Sequence, residues 1–248
     1  MIIIKTENEI ELMREGGKIL GKLLKELIDL AKPGVSTLEL DRFAYEFILS
    51  SGAKPSFLNY NGFPASLCIS LNEVLIHGIP KENIIIKEGD KVSIDAGVYY
   101  KGYHTDAART FTVGKVDKII TKLIDVTEKS FFEGINYAKP GNRLSDISAA
   151  IEKTVVSAGF FVVREYVGHG IGRNLHEEPS IPNYGKPGNG PVLKKGMALA
   201  IEPMVLQKSA RVTTRSDGWT VAATNGLTTA HYENTIVITE NGPQILTI

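Results

Sequence analysis

A chain of 248 residues, 43% hydrophobic and 23% charged, carries enough apolar material for a sizeable core, which excludes a disordered or fibrous protein. Its 28 lysines and arginines balance 28 aspartates and glutamates, so no global field draws it to nucleic acid or anionic lipid. One cysteine, Cys68, excludes an internal disulfide framework and a thiolate metal cage, and a reducing cytoplasm is the expected compartment.

The opening MIIIKTENEI has too short an apolar run for a secretory or membrane-spanning segment. Thr6 and Glu9 make a capping box ahead of Ile10, Met13, Leu20, Leu23, Leu24 and Leu27, whose three-and-four spacing predicts an amphipathic helix. Lys18, Lys22 and Lys25 then read as its solvated face. Ser36 and Glu39 cap a second helix through Leu40, Phe43, Ala44, Phe47 and Ile48, with Gly52 at its C′ position. β-rich runs follow at 91–98 and 103–113. A third helix over about 117–137 and a fourth carrying Ile147, Ile151 and Val155, stopped by Gly159, lead into further β-rich runs at 197–206 and 232–239.

The chain repeats itself. Ala31-Lys32-Pro33-Gly34 recurs as Ala138-Lys139-Pro140-Gly141, an offset of 107 residues, and the same offset carries Gly52 to Gly159 and KEGDKVSID (87–95) to KKGMALAIE (194–202). Two related helix-helix-strand halves, about 6–115 and 116–248, with no linker between them, predict one catalytic domain spanning 1–248. The expected class is α+β, with helices over one face of a curved, mostly antiparallel sheet and a natural cleft between the halves.

Acids stand where strands are expected. In VSIDAG, Asp95 alternates with Val92 and Ile94 and so faces away from them, and HTDAART carries Asp106. A turn centred between Tyr100 and Lys101 would set Asp95 opposite Asp106, with Cβ atoms about 5 Å apart. Like charges so placed repel, and a bound divalent cation compensates through hard oxygen ligation. The offset of 107 takes Asp95 to Glu202, an acid in the same slot of the second half, and Glu233 lies in the last β-rich run. His169 and His176 frame GHGIGRNLHEEP, whose Gly168, Gly170 and Gly172 oppose a helix. HEEP lacks a second histidine four residues on, which excludes the zincin arrangement. His77 ends an apolar stretch before Gly78, and His104 and His231 are read as ordinary hydrogen-bonded residues outside the site.

Asp95, Asp106, His169, Glu202 and Glu233 in that order, with NYNGFPASLCISLNEVLIHGIP before them and GHGIGRNLHEEP between them, resemble the type I methionine aminopeptidases among the pita-bread metallopeptidases. The resemblance spans nearly the whole chain and implies the pseudo-twofold pita-bread fold. It also implies two divalent metal ions, with Asp106 and Glu233 bridging them, Asp95 on one and His169 and Glu202 on the other. These ligand types suit Mn, Fe, Co or Zn, and such a pair supplies an acidified water.

On the same resemblance Glu202 is ligand and proton acceptor, His176 stabilises the developing oxyanion and His77 positions the scissile amide. The methionine side chain is expected among Tyr60, Phe63, Cys68, Leu175 and Trp219, extended by Phe57, where Leu175 replaces an aromatic residue common in the family. The implied activity is a hydrolase that removes N-terminal methionine from nascent chains, preferentially before a small second residue, in protein maturation. The expected protein is a monomer, meeting the ribosome transiently, with no specific nucleic-acid or membrane binding. X-Pro aminopeptidases and prolidases share such a site but usually carry an added N-terminal domain, whereas here the fold is expected to begin by residue 6. A type II enzyme would need an insertion for which the spacing from His176 to Glu202 leaves little room, and a ligand-free binding module would not keep all five positions filled.

Overall fold

The computed structural model describes residues 1–248. Both expected capping boxes are present. Glu9 Oε2 accepts the Thr6 N–H at 2.8 Å while Thr6 Oγ1 accepts the Glu9 N–H at 3.4 Å, opening α1 over Glu7–Leu30. Ser36 and Glu39 repeat the exchange at 2.7 and 3.2 Å and open α2 over Thr37–Ser50. The third helix, α3, spans Lys118–Ile135 rather than 117–137, because its C-terminus tightens through bonds from Tyr137 N to Gly134 O and from Ala138 N to Ile135 O, at 3.0 and 2.8 Å. The fourth, α4, spans Leu144–Ser157.

All strand pairings are antiparallel. The main sheet has nine strands. Its central run passes from Lys91–Tyr100 to Tyr103–Thr112, Glu233–Thr239, Ala198–Ile201 and Gly168–Gly170. All four helices bury one face of it. Leu20, Leu23 and Leu27 of α1, with Leu40 and Ile48 of α2, pack on Val92, Ile94, Ala96 and Val98. Leu123 and Phe131 of α3, with Ile147 and Ile151 of α4, pack on Leu199, Ile201, Ile236 and Ile238. This is the pita-bread α+β fold expected from the sequence.

The internal repeat is structural. Isolated bridges join Ser36 to Ile85 and Arg143 to Val192, two pairs separated by the same 107 positions. Gly34 and Gly141 turn with φ of 96° and 93°, a left-handed geometry open to glycine at no steric cost. Two expectations need correction. The β-rich run 197–206 breaks at Glu202–Pro203 into Ala198–Ile201 and Met204–Leu206, since Pro203 has no N–H to donate to a ladder. The hairpin turn consists of Lys101 and Gly102, with φ of 46° and 96°, so Tyr100 pairs with Tyr103. Asp106 therefore lies opposite Gly97, and Asp95 opposite Ala108. The two aspartates are diagonal neighbours on one face, not a direct pair.

The C-terminal segment seats on α1 through glycine. A Cβ added at Gly17 would stand 2.1 Å from the Leu246 carbonyl oxygen. Alanine ordinarily stabilises a helix interior by about 1 kcal/mol over glycine, but this backbone clash reverses the sign. Gly17→Ala is expected to destabilise by about 1–3 kcal/mol, read as a lower urea midpoint. An unchanged or higher midpoint would show that the helix and the C-terminal segment do not pack this tightly.

Candidate metal centre

Five neighbouring strand positions deliver the acids and the imidazole. Asp95 and Asp106 come from the hairpin, Glu233 from the next strand, Glu202 from just beyond Ala198–Ile201, and His169 from Gly168–Gly170. Strand alternation is the local reason. Val92, Ile94, Ala96 and Val98 point into the helical layer, which leaves Asp95 on the opposite face, beside its cross-strand partner Cys68. The sequence-expected set thus converges on the helix-free face. Asp106, His169 and Glu233 are 4%, 7% and 2% exposed.

Ligand-type atoms of Asp106, His169 and Glu233 lie within 4.8 Å of one another, and so do those of Asp95, His231 and Glu233. Glu233 belongs to both groups. Glu202 reaches toward both, with Oε1 3.6 Å from His169 Nε2 and Oε2 3.8 Å from His231 Nε2. Reading the sequence alone leaves His231 outside the site. The structure places its Nε2 3.6 Å from Glu233 Oε2, buried and without a hydrogen-bond partner. Its position two residues before Glu233 is the signal that would have found it. His104 does stand apart, with Nδ1 2.9 Å from Ser56 Oγ and its ring against Tyr99.

The electrostatics are those of buried acids held close together, with Arg109 as the one cation acting on Glu233. Burial lifts the Asp95 carboxyl to about 7. Burial first, and then the charges of Glu233 and Asp95, hold Asp106 well above the usual carboxylate range. Glu202 is raised by burial and by Asp106 and Asp95, and Glu233 by burial and by Glu202 and Asp95. Burial lowers His169 and His231 to about 3, leaving both rings neutral and able to ligate. Asp95 Oδ1, Asp106 Oδ1, Glu233 Oε1 and His231 Nε2 are all buried without a hydrogen-bond partner. Each such atom costs about 1–3 kcal/mol, and more when charged. Divalent cations fit this donor set, since carboxylates and imidazoles are ligands for Mn, Fe, Co and Zn.

Over the acids opens a cavity of about 210 Å³, and every substrate residue expected from the sequence lines it: Tyr60, Phe63, Cys68, His77, Leu175, His176 and Trp219, together with Phe57. Phe63 meets Trp219 edge to face, with ring centroids 5.2 Å apart. Burial pushes the Cys68 thiol well up, as do the acids below it, so the sulfur stays protonated and serves as an apolar wall. His77 holds φ at 57°, a conformation that non-glycine residues adopt only where the surroundings enforce it. That twist sets its ring near Trp219 and Tyr166, with centroids 6.4 and 5.9 Å away. The His176 ring lies tilted against His169, with centroids 4.1 Å apart, and its Nδ1 lies 2.8 Å from the Tyr60 hydroxyl. If Tyr60 donates to Nδ1, the neutral ring carries its proton on Nε2 and offers it as a donor.

The model of metallopeptidase family M24 matches residues 11–240. A methionine aminopeptidase of Clostridium perfringens is 57% identical over all of this chain and 99% of its own length. The crystal structure of methionine aminopeptidase from Thermotoga maritima superposes with a TM-score of 0.98 at 46% identity, covering 100% of this chain and 99% of that one. Prolidase from Pyrococcus furiosus superposes at 0.81 with 26% identity, and the match takes in 99% of this chain but 65% of the prolidase.

Proposed function

The chain belongs to metallopeptidase family M24 and, within it, to the methionine aminopeptidases, and from that premise we propose that two divalent cations work in the cluster of Asp95, Asp106, His169, Glu202 and Glu233. The four unpartnered buried atoms facing one another carry this reading. Asp95, Asp106, His169, Glu202 and Glu233 would hold the cations, and Glu233 is common to both groups of ligand atoms. The cations supply an acidified water and a polarised carbonyl.

The chain's own residues do the rest. Tyr60, Phe63, Cys68, Leu175 and Trp219 enclose the methionine side chain, whose sulfur is suited to aromatic edges. The Nε2–H of His176, fixed by Tyr60, donates to the carbonyl oxygen as negative charge develops there. His77 holds the scissile amide, and its strained backbone fixes its direction. Glu202, whose burial raises its carboxyl and so makes its carboxylate a stronger base, takes the proton released by water and passes it toward the leaving amine.

We extend the reading to substrate choice and setting. The cavity of about 210 Å³ accepts the first side chain, and a second residue at its rim meets Tyr60 and His176, which favours small second residues. The chain acts as one catalytic unit, a monomer in the cytoplasm that meets nascent chains near the ribosome.

Peptides beginning Met-Ala, Met-Leu, Leu-Ala and Ala-Pro, assayed in parallel with Mn or Co, test this. Met-Ala is expected to be cleaved fastest. Preference for proline in the second position regardless of the first residue would sink the specificity reading. His176→Ala is expected to lower kcat by about 10²-fold and His77→Ala by about tenfold or more, with bound metal unchanged by elemental analysis. Full kcat in either variant would remove that residue from its role.

A further inference from the structure

Lys91 opens the strand that carries Asp95 and is fully buried, at 0% exposure. Lysine is almost never so placed without a charged partner. Its partners here are four neutral oxygens: the Val74 carbonyl at 2.9 Å, the Ser70 carbonyl at 3.1 Å, Ser93 Oγ at 3.2 Å and Thr229 Oγ1 at 3.4 Å from Nζ.

Counting protons fixes the charge state. Thr110 spends its hydroxyl proton on the His231 carbonyl at 2.6 Å, so Ser93, 2.7 Å from Thr110 Oγ1, must donate to Thr110 and can only accept from Lys91. Thr229 spends its own proton on the Val74 carbonyl at 2.9 Å and likewise accepts. Four acceptors around one nitrogen leave no place for an amine lone pair. Burial pulls the ammonium down to about 7, yet its three N–H groups meet four acceptors, one of them shared, and no donor faces the nitrogen.

These partners lie along the segments that carry the site. Ser70 follows Cys68 by two residues, Ser93 precedes Asp95 by two and Thr229 precedes His231 by two, so each shares a face with a site residue where its strand continues. Val74 begins the short strand Val74–Ile76 that delivers His77. A second link runs from Lys91 through Ser93 and Thr110 to His231, whose N–H donates back to Thr110 Oγ1 at 3.0 Å.

We propose that the Lys91 ammonium is an internal tethered cation that sets the spacing of the segments bearing Cys68, His77, Asp95 and His231, and is thus a positioning residue for the metal and substrate site. This rests on the reading of that site given above.

The test compares Lys91→Met with Val155→Ala, a buried change on α4 that lowers the melting temperature and lies away from the strands of the network. Mn(II) is titrated calorimetrically into chelator-treated protein, and the histidine ring cross-peaks are recorded by NMR on the metal-free protein. Lys91→Met is expected to weaken Mn binding by about tenfold or more and to shift the His77 and His231 signals, whereas Val155→Ala does neither. Unmoved His77 and His231 signals, or the same losses in Val155→Ala, would overturn the proposal. Should Lys91→Met not fold, Ser93→Ala and Thr229→Val take its place, with an expected loss of about threefold each and a shifted His231 signal; no change in either variant overturns it. A wild-type protein that binds no Mn would sink the reading of the site, while the NMR comparison still decides the role of Lys91.

Discussion

Treated with a chelator, the protein is expected to lose thermal stability as pH rises through a window around 7, and to recover it when Mn(II) is restored. Asp95 stands at about 7 in the fold against 3.8 ordinarily, and burial and mutual repulsion raise Asp106, Glu202 and Glu233 well above the usual carboxylate range. The folded chain therefore keeps protons that the unfolded chain has released. Stability from such groups is complete below about pH 4 and drains away as pH passes through their folded values. For Asp95 alone this is on the order of 4 kcal/mol. Histidines set the lower edge of the window. Buried neutral at about 3 to 4, His77, His104, His169 and His231 destabilise the fold as pH falls below about 6.5. Lys91, lowered to about 7, works against the decline from above, one group against four acids. Glu233→Gln isolates the cause. It removes the acid shared by both ligand groups, so activity should vanish while the chelated protein melts higher at pH 8 than wild type. A wild-type melting temperature that is flat or rises across the window, or a lower one in Glu233→Gln, would mean that the acids do not repel as described.

How much of this was legible beforehand depends on the range over which each feature is determined. The helices were, because Thr6–Glu9 and Ser36–Glu39 are local signals three residues apart and the apolar spacing behind them is uninterrupted. The repeat was as well, since an offset needs no structure to be counted. It even placed Glu202 opposite the role of Asp95 before any strand was known. The hairpin register was not. It depends on whether Lys101 accepts a positive φ, and moving the turn by one position took Asp106 from Asp95 to Gly97. His231 stands outside the sequence reading because its one signal, a place two residues before Glu233, carries weight only once Glu233 is known to be buried at the site. Lys91 was invisible for a deeper reason: its four acceptors are contributed by segments up to 138 positions away, and nothing local distinguishes it from a solvated strand lysine.

Glu202→Gln is expected to lower kcat by about 10²–10⁴-fold with KM for a Met-Ala peptide little changed. The substitution keeps volume and one ligating oxygen, so a loss of this size isolates the capacity to hold a proton. Glu202 is suited to that task in a way its neighbours are not. Its side chain keeps 13% exposure where that of Glu233 keeps 3%, so it can reach the reacting atoms. Burial and the charges of Asp106 and Asp95 raise its carboxyl well above the usual range. An amide can ligate but cannot accept and return a proton, whereas Cys68→Ala, which cuts back the apolar wall and enlarges the cavity, should act mainly on KM. Measured side by side at saturating Mn, the two variants separate proton transfer from side-chain recognition. Should Glu202→Gln keep more than about a tenth of the wild-type kcat, the proton must travel by another group. His231, with Nε2 3.8 Å from Glu202 Oε2 and free of any partner, is then the residue to change next.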